Sequence, residues 1–307
     1  MAEIKKAIKN IFKIYKNLIN LDYKLKHFKI SVLYESERMR LFEITRHSVE
    51  TGVTDYRYCD SNITVSLTTY GRRFYSVHTT IESIMQQTMK PNKIVLWLDK
   101  SFEKMQMPIV LKNQEKRGLE IRFCEDIKSY KKLIPTLSLY PNDTIITCDD
   151  DVIYSPDMIE NLTREYLVNP SKKIIYANVC HKIKLSSSGC LLSYAKWEHN
   201  TSDEVASKYI FPVGVGGVLY PPKSLYHDVN NINKFMELSP FGDDIWFKAM
   251  GYLNGYICKK VKTPSENSVD YLENIDFRDS GLAQLNNIQN HNDSQINNVF
   301  NEYKIVL

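Results

Sequence analysis

The sequence predicts an α/β protein, a mostly parallel sheet flanked by helices and preceded by a helical N-terminal extension. From Ile63 onward, short apolar runs of strand length alternate with helical stretches. One of those runs, Thr144 to Cys148, passes directly into three aspartates, as where a buried strand hands a loop to a ligand. Residues 1–50, by contrast, carry helical periodicity and polar composition without a strand-like run.

Composition agrees with a globular chain. The 307 residues are 43% apolar and 25% charged, enough for one large domain or two small ones. No run approaches the ~18 to 20 apolar residues of a spanning helix. The start lacks an apolar block with a small-residue cleavage site, so the expected location is the cytoplasm. Six cysteines (Cys59, Cys124, Cys148, Cys180, Cys190, Cys258) form no CxxC pair and read as reduced core thiols.

The extension, residues 1–55, holds the positive charge. Residues 1–30 contain eight lysines against Glu3 and Asp22, so they carry +6 of a net +4 and the remainder carries −2. On a wheel of about 100° per residue, Ile4, Ile8, Ile11, Phe12, Tyr15, Leu18 and Ile19 share one apolar third, with Lys5, Lys6, Lys9, Lys13 and Lys16 beside it. Such a helix can lie on an anionic membrane surface, here the inner face of the plasma membrane. It can equally pack on the domain with its lysines solvated. No second basic face accompanies it, so nucleic acid is not an expected partner.

Thr51 to Asn62 reads as a linker, and the catalytic domain spans 56–262. Its expected order is a strand at Ile63 to Thr69, a helix at Tyr75 to Gln87, and strands at Lys93 to Leu98 and Glu120 to Phe123. A helix follows around Ile127 to Leu139, then the buried strand at Thr144 to Cys148. Ser155 as N-cap with Pro156 at the first helical position announces a helix to Leu167. Then come a strand at Lys173 to Asn178, a Gly-rich strand at Phe211 to Tyr220, a helix at Asp243 to Tyr252 and a strand at Tyr256 to Val261. The Asn-rich tail, 263–307, admits two readings, disorder or an ordered wrap over the catalytic domain.

Asp149, Asp150 and Asp151 carry the most chemical information. Three adjacent anions repel, and Mg²⁺ or Mn²⁺, held by one or two carboxylates with water and phosphate in its other positions, is the economical way to hold them. A solvated acidic turn capping the next helix is the plainer alternative.

On these residues the chain resembles the GT-A glycosyltransferases, whose DxD motif sits at this strand end, and among them bacterial surface-glycan (family 2) and exostosin-like enzymes. The resemblance covers roughly Ile63 to Val261. It implies a GT-A, Rossmann-like sheet in which Asp149 and Asp151 hold the metal on the diphosphate of a nucleotide sugar, a UDP-sugar being favoured, with Asp150 between them. The metal would neutralise charge on the leaving nucleotide. Val65 to Arg73 resembles the family's opening strand and nucleotide-contacting turn, making Thr68, Tyr70 and Arg72 (or Arg73) candidates for donor contacts. Asp99 matches an acidic residue that accepts a hydrogen bond from the base. Lys132, beside Lys131, falls where relatives place a cation near the nucleotide, although a surface lysine pair is the commoner arrangement.

Two further segments carry the acceptor side. Phe211 to Pro222 is too Gly-rich for an ordinary strand, so its glycines are expected to let backbone approach a ligand or another strand; its spacing fits no phosphate loop. In Gly242-Asp243-Asp244, the resemblance puts an acidic pair facing the acceptor hydroxyl, one of them its general base in inverting members. Aspartates in a first turn also simply favour the helix dipole. The exostosin-like relatives retain configuration, so the stereochemistry stays open. His291 matches the tail histidine that completes metal coordination in many relatives; a histidine in a polar tail is otherwise just exposed. Trp197 and Trp246 are candidates for a sugar site or for the core.

The implied activity is metal-dependent transfer of a sugar to a glycan or lipid-linked acceptor in surface polysaccharide synthesis. The rivals are another metal-dependent phosphate enzyme such as a nucleotidyltransferase, whose partner motifs are missing, and a non-catalytic glycan-binding protein. A calcium-binding loop ranks last, because Asp149 to Glu160 lacks the central glycine and ligand alternation of an EF-hand.

Overall fold

The computed structural model describes residues 2–261, 271–273 and 291–307. In the first helix, side chains are described from Leu21 onward, residues 22, 23 and 26 apart. The side chains of the lysine-flanked face at Ile4 to Ile19 therefore lie outside the described residues, as do 262–270 and 274–290 of the tail.

The protein is an α/β fold on a seven-stranded, mostly parallel, Rossmann-like sheet. The strands are β1 (Ile63–Thr68), β2 (Lys93–Asp99), β3 (Leu119–Cys124), β4 (Thr144–Cys148), β6 (Ile174–Ala177), β9 (Val218–Tyr220) and β10 (Ile257–Lys260), in the order β10-β6-β9-β4-β1-β2-β3. β1 runs parallel to β2 and β4, β2 to β3, and β6 to β10, whereas β9 is antiparallel to both of its neighbours. Four short strands lie outside this sheet. β5 (Val152–Tyr154) pairs antiparallel with β11 (Tyr271–Glu273), and β7 (Cys180–Lys182) pairs with β8 (Ile210–Pro212).

Alternation along each strand fills a core on both faces, which explains the near-continuous apolar runs. Val65, Leu67, Ile146 and Leu219 point to one side, where α2 (Val77–Met85), α3 (Ile109–Glu115) and α5 (Met158–Val168) supply Ile81, Leu111 and Leu162. Ile145, Ile175, Val218 and Tyr220 point to the other. There α4 (Ile134–Leu139), α6 (Ile232–Leu238), α7 (Asp243–Leu253) and α8 (His291–Glu302) supply Ile134, Phe235, Trp246 and Val299. Trp246 is fully buried and Trp197 nearly so; their indole N–H groups donate to Val229 O and Leu192 O, so both belong to the core.

α1 (Ala2–His47) is a single long helix whose C-terminal third lies on α2 and α3. Tyr34 and Leu41 pack with Ile153. Beneath this joint sits a buried ion pair: Arg117 Nη1 and Nη2 lie 2.7 and 2.8 Å from the two Glu82 oxygens, which also accept from Thr45, Gln86 and Gln114. Burial alone would raise the Glu82 pKa, and these donors, Arg117 first, more than reverse that.

The structure corrects the expected elements at three places. The helix expected around Ile127 to Leu139 is a 3-10 turn, Lys128–Lys132, and the short α4, separated at Leu133 with φ -127°. The segment Phe211 to Tyr220 is not one strand: a turn of 3-10 helix, Gly214–Gly216, interrupts it, with Gly217 at φ 87°. The helix expected from Pro156 begins at Met158, and Ser155 is not its cap. Instead Gln87 bridges the gap, donating to Ser155 O (2.6 Å) and accepting from Ile159 N (2.9 Å).

Candidate active site

The parallel strands β1, β2 and β4 end at one edge of the sheet. Leu67 pairs with Cys148 and Thr68 with Trp97, which brings Tyr70 and the three aspartates just beyond the strand ends and Asp99, the last residue of β2, to the same edge.

Within the triplet the three carboxylates differ. Asp150 is buried, accepts from Thr69 Oγ1 at 2.5 Å, and is paired with Arg73 Nη1 at 2.9 Å. Asp151 takes the other arm of Arg73, Nη2, at 2.9 Å. Asp149 pairs with the Lys132 ammonium at 2.9 Å. The side chains of Asp149 and Asp151 stay 31% and 24% accessible against 6% for Asp150, so the outer two face the open edge and the middle one anchors the turn.

The turn is held from below by polar residues on the inner face of α2 and its exit. Thr80 Oγ1 reaches both Asp150 O (3.0 Å) and Val152 O (2.6 Å), and Ser83 Oγ accepts from Tyr154 N. Tyr154 in turn accepts from Asp149 N at 2.8 Å through its phenol oxygen. Thr80, Ser83 and Gln87 recur at helical spacing, a signal present in the sequence as polar residues on an otherwise apolar face.

Lys132 joins this cluster to Asp243 and Asp244 at the start of α7. It leaves the 3-10 turn Lys128–Lys132 just before α4 and is 5% exposed, so it and Lys131 are not a surface pair. Its ammonium lies 2.8 Å from Asp243 Oδ2, a charge contact outside hydrogen-bond angles, and 4.0 Å from Asp244. Burial alone would lower its pKa, but Asp149, Asp243 and Asp244 hold it well above the ordinary lysine value.

The pair opening α7 also divides into an inner and an outer member. Asp243 is buried and accepts from Ser129 Oγ at 2.9 Å. Asp244 keeps 26% of its side chain accessible, accepts from Gly214 N at 3.0 Å, and is pushed up to about 7 by burial and then by Asp243 and Asp149, against the pull of Lys132. A Cβ on Gly214 would lie 2.7 Å from Lys132 Nζ and 3.1 Å from Asp244 Oδ1, so any other residue would displace the charged ends gathered here. Gly216 answers a different need, since its Cβ would come within 2.8 Å of the Val179 backbone nitrogen.

The remaining candidates are placed as follows. Thr68 donates its hydroxyl to Trp97 O (2.9 Å). Tyr70 is half exposed, with the Arg73 guanidinium 5.6 Å from its ring centroid, and Arg72 is exposed while Arg73 pairs with the aspartates. Asp99 caps the following 3-10 turn by accepting from Ser101 N. His291 opens α8, which is anchored to the site's rim by Asp293 (accepting from Tyr194 N, 2.6 Å) and Gln295 (accepting from Phe241 N, 2.8 Å). The Tyr194 phenol is held above its ordinary range by burial and then by the charge of Asp244.

Five carboxylates here face two cations, Arg73 and Lys132. The deficit is sharpest at Asp151, which burial and its two aspartate neighbours lift to about 7 although Arg73 pulls it down. Accessible hard oxygen donors with too little positive charge nearby suit a divalent cation of the Mg²⁺ or Mn²⁺ type. Among the described residues no three His, Cys, Asp or Glu side chains converge as a closed cage, so His291 is not gathered into one with Asp149 and Asp151. Two carboxylates leaving positions for water and phosphate fit the habit of Mg²⁺ rather than of a structural zinc.

No protein-family model and no curated protein matches this chain. Among solved structures it is similar to CMP:2-keto-3-deoxy-manno-octonic acid synthetase complexed with CTP, at 12% identity and a TM-score of 0.38, covering 69% of this chain and 93% of that one.

Proposed function

We propose that this chain is a metal-dependent glycosyltransferase that moves a sugar from a nucleotide-diphosphate donor, a UDP-sugar being favoured, to a hydroxyl of a glycan or lipid-linked acceptor in surface polysaccharide synthesis. The observation that carries it is the division of labour across one cleft. Two accessible aspartates at the end of β4 face a third accessible acid, Asp244, at the start of α7, with the buried Lys132 between them.

A cation held by Asp149 and Asp151 would neutralise the diphosphate as the anomeric C–O bond breaks. Arg73 and Asp150 keep those carboxylates in place, and Tyr70 offers a ring at the rim for the base. Asp244, with its pKa near neutrality and Gly214 N fixing one oxygen, is suited to take the acceptor hydroxyl's proton, a contribution of about 10² to 10⁴ in rate. Asp243, buried on Lys132 and Ser129, positions that ammonium. The cytoplasm, where nucleotide sugars are the ordinary donors, is the matching location.

Isothermal titration of UDP, GDP, CDP and ADP, with Mn²⁺, with EDTA, and with Asp151→Ala, tests the reading. One diphosphate should bind only with metal, and the substitution should abolish that binding. Asp244→Asn should keep donor binding while turnover falls. Failure of every nucleotide would refute the proposal. Binding of a triphosphate with release of pyrophosphate in the presence of a sugar would replace it by the nucleotidyltransferase reading.

A further inference from the structure

Among its described residues, α1 carries two apolar faces, and the domain buries only one of them. Tyr34 and Leu41 are buried. Leu21, Leu25, Phe28 and Val32, on the other, are 54, 58, 68 and 51% exposed. Their separations are four, three and four residues. Followed back through the sequence, the same alternation meets Leu18, Ile14, Ile11, Ala7 and Ile4 at register positions of the same continuous helix. From Ile4 to Val32 every such position is apolar, over four heptads; Glu35 ends the uninterrupted run, and of Met39 and Phe42 beyond it, Phe42 already packs against the His78 ring of the domain.

The period is the decisive feature. A repeat of 3.5 residues on a helix of 3.6 per turn drifts by about 20° per heptad, hence by about 80° between Ile4 and Val32. A flat bilayer needs an apolar face that stays on one side, whereas a second helix coiling left-handedly around the first follows a drifting seam. A window of twenty residues, as in a wheel of the lysine-rich segment, is too short to separate the two. With Ile4 as an a position, Lys5, Lys6, Lys9, Lys13 and Lys16 fall at b, c and f, outside the seam, while Lys24 at g and Lys29 at e flank it. At 1.5 Å per residue the seam is about 42 Å long, within the three to four heptads that sustain a coiled coil.

We infer that α1 is a self-association helix: a second copy of this chain pairs its own α1 along the seam from Ile4 to Val32. This stands apart from the reaction proposed above, since none of its residues lies at the cleft.

Sedimentation velocity on the full chain tests it, with Leu18→Asp/Leu25→Asp as the seam variant and Lys9→Glu/Lys13→Glu/Lys16→Glu as the outer-face variant. The wild type should sediment as a dimer or higher multiple of 35.8 kDa. The seam variant should fall to the single-chain mass with its domain still unfolding cooperatively, and the outer-face variant should keep the wild-type mass. A wild-type monomer at tens of micromolar, or a seam variant with unchanged mass, overturns the inference. Flotation of a monomeric wild type with phosphatidylserine-containing vesicles, lost in both variants, would assign the stripe to lipid instead.

Discussion

Lys132 Nζ stands 2.8 Å from Asp243 Oδ2, across 111 positions of sequence, and so fastens the turn before α4 to the first turn of α7. The same ammonium holds Asp149, which makes it, among the described residues, a cation shared by the acidic turn after β4 and the aspartate pair of α7.

Lys132→Met therefore removes charge while keeping the stem. It strands Asp149 and the buried Asp243, and breaking such a pair costs about 3 to 5 kcal/mol. Without the lysine's pull, the Asp244 pKa rises above about 7, so the acid limb of the pH–rate profile moves to higher pH. Urea denaturation and the pH dependence of turnover read the two effects separately.

Thr80→Val keeps shape and deletes the hydroxyl shared by Asp150 O and Val152 O. Leaving buried carbonyls without that donor should cost about 1 to 3 kcal/mol. Because those carbonyls belong to the acidic turn, Mn²⁺ affinity should weaken as well, measurable by titration calorimetry. A loss of stability with unchanged Mn²⁺ affinity would uncouple α2 from the turn.

Arg117→Met leaves Glu82 buried and without its main partner. The expected loss is about 3 to 5 kcal/mol by chemical denaturation. Glu82→Leu added to it should recover much of that, since an apolar pair of similar volume is often no worse.

His181 gives a pH signature. Burial first, and then the neighbouring His199, lower its pKa from 6.5 to about 4, and its Nδ1 accepts from Asn200 N, which requires the neutral ring. The unfolded chain thus takes up this proton at higher pH than the folded one. Stability is unaffected above pH 6.5 and falls as pH drops from there towards 4, by about 3 kcal/mol at most. Thermal melts of His181→Gln should lack this component.

The strands around the site were legible because β1, β2 and β4 are buried on both faces and read as short runs of apolar and β-branched residues, broken in β1 only by small or hydroxylated side chains. The acidic triplet was legible for the same reason, standing out against the run that precedes it. What sequence spacing could not convey were burials settled by distant partners. Lys132 looks like a surface lysine until Asp149 and Asp243 are brought to it. Ser155-Pro156 carries a sound cap signal, overruled because Gln87 takes the backbone groups on either side and delays α5 to Met158. The glycines of 214–217 signalled close approach, but not that one approach is to carboxylates and another to Val179, nor that a turn would divide the segment.

The antiparallel β9 fills the place between β4 and β6, with Val218 opposite Thr147 and Ala177. During synthesis, β4 and β6 are therefore both complete while the strand that joins them is still about forty residues away, and each waits with an open hydrogen-bonding edge. Insertion of β9 closes both edges at once and, running opposite to its neighbours, delivers Gly214 to the cleft in the same motion. A nascent chain stalled before Tyr220 should be the aggregation-prone species of this protein, because both facing edges stay open until that strand is in place.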